Sequence, residues 1–368
     1  MPPQKIKDNN LDLYKLKEKY MLEQASYRRS LFLKPELKQL FFELTIKCNE
    51  HCWHCGSRCG DIDSKNELSL DEWKGILDEI KSEYDGHLPQ INVTGGEPLL
   101  YPHFEELMTY AKSLGFRWGM TSNAVLIDRG CAKMLERSGM RTISVSIDGL
   151  EDTHDRLRGK KGAYRLAMEG INNLTKLGSF RHIMVTTVVN RESIKELEPL
   201  YEIMKDIDID SWRIIGVEPL GRAKEHPELL MTPKDQRTLM DFIREKRAEE
   251  MPVTYGCSHY LGLEYEGTVR DWYFFCMAGL TLASISSKGD VTACLDIERS
   301  PSVIQGNVRK RKFTDIWRNE FKTFRYDRSE DDENCRNCES RKYCMGGSCH
   351  TWDFENKKQG LCLLNSLR

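Results

Sequence analysis

The sequence predicts an α/β protein: a partial (β/α)6 barrel of the TIM type, followed by a small C-terminal domain that is mostly irregular with some β-structure. Three observations carry this prediction. From Leu40 onward, short apolar runs alternate with longer amphipathic segments, the pattern of repeated βα units. Six such units occupy about 210 residues up to Ala248, whereas a closed eightfold barrel takes about 250. Beyond Met251 the helical period fades and cysteines concentrate among turns.

In chain order, residues 1–39 form an N-terminal extension with a Lys- and Leu-rich helical stretch over 10–23 and a basic pair, Arg28-Arg29. Apolar runs of strand length occupy 40–46, 90–94, 117–122, 142–147, 182–188 and 211–216. Amphipathic, helix-length segments follow them at 69–82, 104–115, 128–138, 164–177, 193–204 and 232–248. The barrel is therefore assigned to 40–225, a helical bridge to 226–255, and the C-terminal domain, with β-like pieces at 280–286 and 290–293, to 256–368.

Composition excludes several classes. Hydrophobic residues at 39% and charged residues at 30% are globular values that rule out disorder and collagen. A formal charge of −2 gives no electrostatic reason for a nucleic-acid or anionic-membrane partner. No apolar run approaches the roughly 20 residues of a membrane span, and the polar start lacks a signal pattern, so a cytoplasmic location is expected. Thirteen cysteines are anomalous there, because reducing thiol pools keep disulfides rare. Clustered cysteine then points to metal or redox chemistry.

Three constellations carry that chemistry. Cys48, Cys52 and Cys55 lie on one loop after the first strand. Three thiolates leave one iron of a four-iron cluster open, whereas zinc normally closes with four ligands and would recruit Cys59. Next, Gly95-Gly96-Glu97-Pro98 follows the second strand, where paired glycines allow close backbone approach to a ligand. The later strand ends supply Ser122 and Asn123, Ser146 and Asp148, Asn190, and Glu218, a polar ring on the rim where barrels build active sites. Last, Cys257, Cys276, Cys294, Cys335, Cys338, Cys344, Cys349 and Cys362 make two groups of four, which suits two closed four-thiolate clusters or redox-silent zinc.

Together, the CxxxCxxC loop, the Gly-Gly-Glu-Pro turn and the Ser-Val-Ser-Ile-Asp-Gly strand end resemble the radical S-adenosylmethionine (SAM) superfamily over 40–221. The resemblance implies that Cys48, Cys52 and Cys55 hold a [4Fe–4S] cluster whose open iron is chelated by SAM. It implies reductive cleavage of SAM to a 5′-deoxyadenosyl radical that abstracts a substrate hydrogen. It places Gly95, Gly96 and Glu97 at the methionine amino group, Ser146 and Asp148 near ribose or methionine, Arg158 at the carboxylate, and Ser122, Asn123 and Asn190 around the cofactor. The residue before the third cysteine, commonly Tyr or Phe in the family, is His54 here, and its backbone is the part expected near adenine.

The C-terminal cysteines resemble the SPASM extension, which implies two auxiliary [4Fe–4S] clusters, one on Cys257, Cys276, Cys294 and Cys349 and one on Cys335, Cys338, Cys344 and Cys362. Four residues separate Cys344 from Cys349 where the extension usually has three. Cys59 and Cys131 have no partner in this scheme, and Cys131 is expected buried on a helix. Tyr255, Tyr260 and Tyr265 are expected either to line the substrate opening or to pack.

Members with this extension mostly modify ribosomally made peptides or proteins. The resemblance therefore implies crosslinking, oxidation or epimerisation of such a substrate, with a flavodoxin- or ferredoxin-type donor and electrons leaving through the auxiliary clusters. A small-molecule oxidation in quinone or haem-type cofactor biosynthesis is the alternative. Sulfatase maturation is a lesser one, because its base directly follows a cluster cysteine, whereas Leu295 follows Cys294 and Asp296 comes one step later. Asp296 and Glu218 are the candidate acid or base residues. The N-terminal extension is too short for a complete winged-helix peptide-recognition domain.

Overall fold

Apolar runs of the expected length become a parallel sheet laid down in chain order. The computed structural model describes residues 10–249 and 251–368; the expectation of a polar, signal-free start falls largely on residues 1–9, outside them. The strands are β1 (Gln39–Glu43), β2 (Gln90–Thr94), β3 (Trp118–Ser122), β4 (Met140–Ser146), β5 (His182–Val189), β6 (Ser211–Gly216) and β7 (Val253–Tyr255), each parallel to its predecessor. On the other side of β1 the chain adds β8 (Leu282–Ile285), parallel, then β9 (Asp290–Thr292) and β10 (Gly306–Asn307), antiparallel. The order β10-β9-β8-β1-β2-β3-β4-β5-β6-β7 leaves β7 and β10 as the two edges of an open sheet.

Alternation along the strands sends one set of side chains to the helices and the other into the lumen, as in the buried–intermediate pattern of β2 and β6. Helices Leu70–Glu83, Phe104–Ser113, Arg129–Arg137, Ala163–Thr175, Leu197–Lys205 and Pro233–Ala248 cover the outer face. Two start on reciprocal capping boxes, Ser69 with Glu72 and Thr232 with Asp235. Trp73, Trp118 and Trp212 are fully buried, and the last two donate their indole N–H to Ser138 O at 2.9 Å and Thr187 Oγ1 at 2.8 Å. One hydrophobic core runs from Met21 to Leu367, so the N-terminal helix, barrel and C-terminal segment share an interior.

The differences from expectation have local causes. The first strand leaves the ladder after Glu43, because Thr45 and Ile46 bond to the Glu67 carboxylate while Thr45 O accepts from Gly96 N at 2.7 Å. Helix Glu151–Arg158, unforeseen, is one of the shorter helices and lacks a side-chain N-cap; Gly159, at φ 64°, ends it. The N-terminal helix spans Asn10–Leu33, well beyond the expected end at 23. It docks on the C-terminal segment: Lys17 Nζ donates to Leu263 O at 3.0 Å, and Glu18 pairs with Lys342 at 2.8 Å. Among the described residues, no helix is long and apolar enough to cross a membrane.

Candidate functional site

The carboxyl ends of β1–β6 open onto a cavity of about 320 Å³. Cys48, Cys52 and Cys55 line one side with Gly95, Gly96 and Arg158; Ser122, Asn123 and Ser146 lie at the strand ends; Glu218, Cys257, Asp296 and His350 complete the far side. Residues from all three sequence constellations thus share one space.

The cysteine loop is held by backbone contacts from two distant segments. Helix Glu151–Arg158 accepts from it, His51 N to Arg158 O at 3.0 Å and Trp53 N to Leu157 O at 2.9 Å. On the other side Arg222, buried and unforeseen, donates Nε to Cys52 O at 2.8 Å and Nη1 to Cys59 O and Asp61 Oδ2, both at 2.9 Å. Gly221 makes this approach feasible: its φ is 53°, and a Cβ there would stand 2.3 Å from Cys55 O. Gly96 is similarly required, since its Cβ would meet Lys47 O at 2.2 Å.

The electrostatics organise the same loop. Arg158 Nη2 lies 2.6 Å from Asp148 Oδ2, and Nη1 lies 3.4 Å from Glu50 Oε2 and 3.7 Å from Cys52 Sγ. Burial alone would raise the Asp148 carboxyl, but Arg158 and His54, whose Nε2 is 3.0 Å away, hold it well below the usual carboxylate range. Burial pushes the Cys48 thiol up to about 11 and that of Cys52 to about 12. Ligation of a positive centre is what would draw these protons off. Cys55 is pulled the other way, chiefly by a hydrogen bond from the buried Cys59 thiol.

Three residues expected at the cofactor do not face the cavity, because each carboxylate or amide is consumed by the rim itself. Glu97 is fully buried and accepts from Ser122 Oγ at 3.0 Å and Asn123 N at 2.9 Å, tying the end of β2 to that of β3; burial raises it to about 7. Asp148 holds Arg158 and His54. Asn190 caps its own turn, accepting from Glu192 N at 2.8 Å. His54 does line the cavity, with its ring turned to Asp148. Tyr255, Tyr260 and Tyr265 are buried in the core away from the opening, and Cys131 is half-buried.

The C-terminal thiols fall into groups. Cys344 is pushed up to about 12 by burial together with neighbouring Cys362, Cys335 and Cys338. Cys276 receives the Cys349 N–H at 3.5 Å, and burial together with the charges of Asp296 and Cys276 pushes the Cys294 thiol up. Cys257, expected in the first auxiliary group, has its Sγ 3.1 Å from Glu218 Oε1 and 3.4 Å from His350 Nε2. Its backbone is fixed there by buried Arg270, which donates to Cys257 O and His259 O, both at 2.7 Å.

The surroundings suit anionic and zwitterionic groups. Arg28 and Arg328 are both buried beside these thiols, and among the described residues neither pairs with a carboxylate. Arg28 donates to Cys344 O at 2.9 Å, Arg328 to Gly347 O at 2.8 Å, and the Nε of each has no partner. Buried cations need counter-charge, and thiolate-bound iron–sulfur clusters carry it. Around the loop, Glu50 Oε1 and Arg158 Nε are likewise buried without partners in the cavity wall, one for a cation and one for an anion. Of the residues that sequence reasoning missed, His259 and His350 had a signal, each within two positions of a cysteine; Arg28 and Arg222 had none beyond charge.

Comparisons agree with this geometry. Residues 42–204 match the radical SAM superfamily and 276–339 match SPASM, an iron–sulfur cluster-binding domain. The chain is 29% identical over 327 residues to an AdoMet-dependent heme synthase of Methanosarcina barkeri, covering 83% of this chain and 89% of that protein. It is 28% identical over 313 residues to the mycofactocin maturase MftC of Mycolicibacterium smegmatis, covering 84% and 77%. Among solved structures, native anSMEcpe with bound AdoMet superposes with a TM-score of 0.71 at 19% identity, covering 89% of this chain and 94% of that one. Streptococcus suis SuiB bound to its precursor peptide SuiA superposes with a TM-score of 0.68 at 17% identity, covering 94% and 79%. At these identities the structures speak for the fold.

Proposed function

We propose that the chain, which matches the radical SAM superfamily over residues 42–204 and the SPASM iron–sulfur domain over 276–339, is a radical SAM oxidoreductase acting on a ribosomally made peptide or protein, by crosslinking, oxidation or epimerisation. The observation that carries this is the shared cavity, with the three loop cysteines on one wall and Glu218 and Asp296 on the wall toward the auxiliary cysteines. We divide the chain into the barrel, 40–225, a bridge, 226–255, and the auxiliary domain, 256–368, and count three [4Fe–4S] clusters.

When bound, the cluster and SAM supply a 5′-deoxyadenosyl radical that abstracts hydrogen. The protein's own part is positioning. Cys48, Cys52 and Cys55 would hold the cluster, and the fixed loop backbone sets where its open iron faces. Arg158, held by Asp148, offers Nε to the SAM carboxylate, and Glu50 Oε1 offers a lone pair to the amino group. Gly95, Gly96, Ser122, Asn123 and Ser146 form the adjoining wall. Glu97 and Asn190 shape the strand ends from behind. On the far wall Asp296 is the candidate to take a substrate proton; Glu218, the other expected acid or base, is bound up with His259 and His350. Cys335, Cys338, Cys344 and Cys362 would hold one auxiliary cluster, and Cys257, Cys276, Cys294 and Cys349 the other. A flavodoxin- or ferredoxin-type protein would supply electrons.

The test is anaerobic co-expression with each short peptide encoded beside the gene, followed by mass spectrometry in ordinary and deuterated water. Loss of two hydrogens indicates crosslinking or oxidation, and deuterium uptake without oxidation indicates epimerisation. An unchanged mass for every peptide, with SAM still turned over, moves the assignment to a small molecule. That second reading, haem-type cofactor oxidation, is favoured by one observation: likeness to heme synthases extends over most of both chains.

A further inference from the structure

Four side chains with metal-binding donors converge where β6, the segment after β7 and the C-terminal loop meet: Glu218, Cys257, His259 and His350. One donor atom from each lies within 4.8 Å of all the others. Glu218 is the centre, with Oε1 2.7 Å from His259 Nε2 and 3.1 Å from Cys257 Sγ, and Oε2 2.8 Å from His350 Nε2. Cys257 Sγ and His350 Nε2 are 3.4 Å apart.

Two features separate this cluster from an ordinary hydrogen-bonded network. Glu218 gathers a thiol as well as two imidazoles, more donors than its single charge needs as partners. The four side chains also come from segments held in place independently. Arg270 fixes the carbonyls of Cys257 and His259, and the Ser348 hydroxyl bonds Ser258 O and lies 3.5 Å from His259 Nδ1, leaving Nε2 free to face Glu218. Orientation of a histidine through its other ring nitrogen is the usual support of a metal-ligating imidazole.

We infer that Glu218, Cys257, His259 and His350 form a mononuclear site for a divalent transition-metal ion of the zinc class, separate from the iron–sulfur clusters. A mixed set of one thiolate, two imidazoles and one carboxylate is a zinc donor set. Bond lengths of ~2.0–2.3 Å in a tetrahedron put donors ~3.3–3.8 Å apart, and the separations here, from 2.7 Å up to at most 4.8 Å, bracket that range. Three of the four residues line the cavity, so the ion is reachable from it. Cys257 then leaves the auxiliary set of Cys276, Cys294 and Cys349.

The experiment is elemental analysis of the anaerobically reconstituted holoenzyme, with Zn²⁺ as probe and Co²⁺ as its spectroscopic substitute. The inference predicts about one zinc per chain, and with Co²⁺ the d–d and thiolate charge-transfer bands of a tetrahedral site. Cys257→Ser and His259→Ala should each abolish the zinc while leaving iron unchanged. Should His259→Ala fold poorly by circular dichroism, His350→Gln replaces it with the same expectation. The inference is overturned if Cys257→Ser removes about four irons per chain, which returns Cys257 to an auxiliary cluster, or if wild type takes up no zinc, or if bound zinc survives these substitutions.

Discussion

Replacing Gly221 by alanine adds one methyl group, and the structure states what it meets. The Cβ would lie 2.3 Å from Cys55 O and 2.4 Å from Gly56 O, both backbone atoms of the cysteine loop. At φ 53° an L-residue also bears the left-handed penalty of about 1 kcal/mol, and relief of such overpacking costs about 1–3 kcal/mol more. The expected destabilisation of the apo-protein is therefore about 2–4 kcal/mol. Because the loop rather than the core must yield, Cys55 moves relative to Cys48 and Cys52, and the variant should retain less iron at the loop after reconstitution. The assay pairs thermal unfolding with iron content, using Gly75→Ala as reference, since nothing lies within 4 Å of a Cβ there. A Gly221→Ala protein with wild-type stability and iron would refute the claim that this contact fixes the loop.

Other predictions follow from the buried charges. Asp148→Asn leaves Arg158 with only Glu50 at 3.4 Å, and should cost about 3–5 kcal/mol and weaken SAM affinity measured by calorimetry. Arg28→Met should have opposite effects in the two states. The apo-protein becomes as stable or up to about 1–4 kcal/mol more stable, since a buried charge without a carboxylate partner is gone, while the auxiliary clusters titrate at more negative potential or are lost. Glu97 titrates near 7 when folded because of burial. A folded pKa above the unfolded one means the native state binds more protons between about 4.5 and 7, so stability falls as pH rises through that window, by about 3 kcal/mol from this group. In denaturant titrations of apo-protein, Glu97→Gln should show a correspondingly flatter slope; identical slopes contradict the assignment.

The parallel sheet was legible because its strands are apolar runs of the right length and spacing, and five of the six began and ended within about two residues of expectation. The end of the first was not, since its departure from the ladder depends on Glu67 and Gly96, which no local pattern near Leu44 announces. Spacing brought the three loop cysteines and the Gly-Gly turn to one cavity. It also placed Glu97 and Asp148 there, although both spend their carboxylates on neighbours behind the wall. Charge sequence alone does not reveal whether a side chain faces a ligand or an arginine. Cys257 shows a related limit: counting eight cysteines as two fours is arithmetic, whereas the side chains beside its thiol, Glu218 and His350, come from segments distant in sequence. Arg28 lay in plain view as half of a basic pair, but only the docked helix discloses that it is inserted beside Cys344.

The most direct measurement is 5′-deoxyadenosine formation from SAM by the anaerobically reconstituted, dithionite-reduced protein, compared with the variant carrying Cys48→Ala, Cys52→Ala and Cys55→Ala. The account predicts steady production by wild type and none above background by the variant, even though the auxiliary cysteines still bind iron. Equal production by both, or none by a wild type fully loaded with iron, contradicts it.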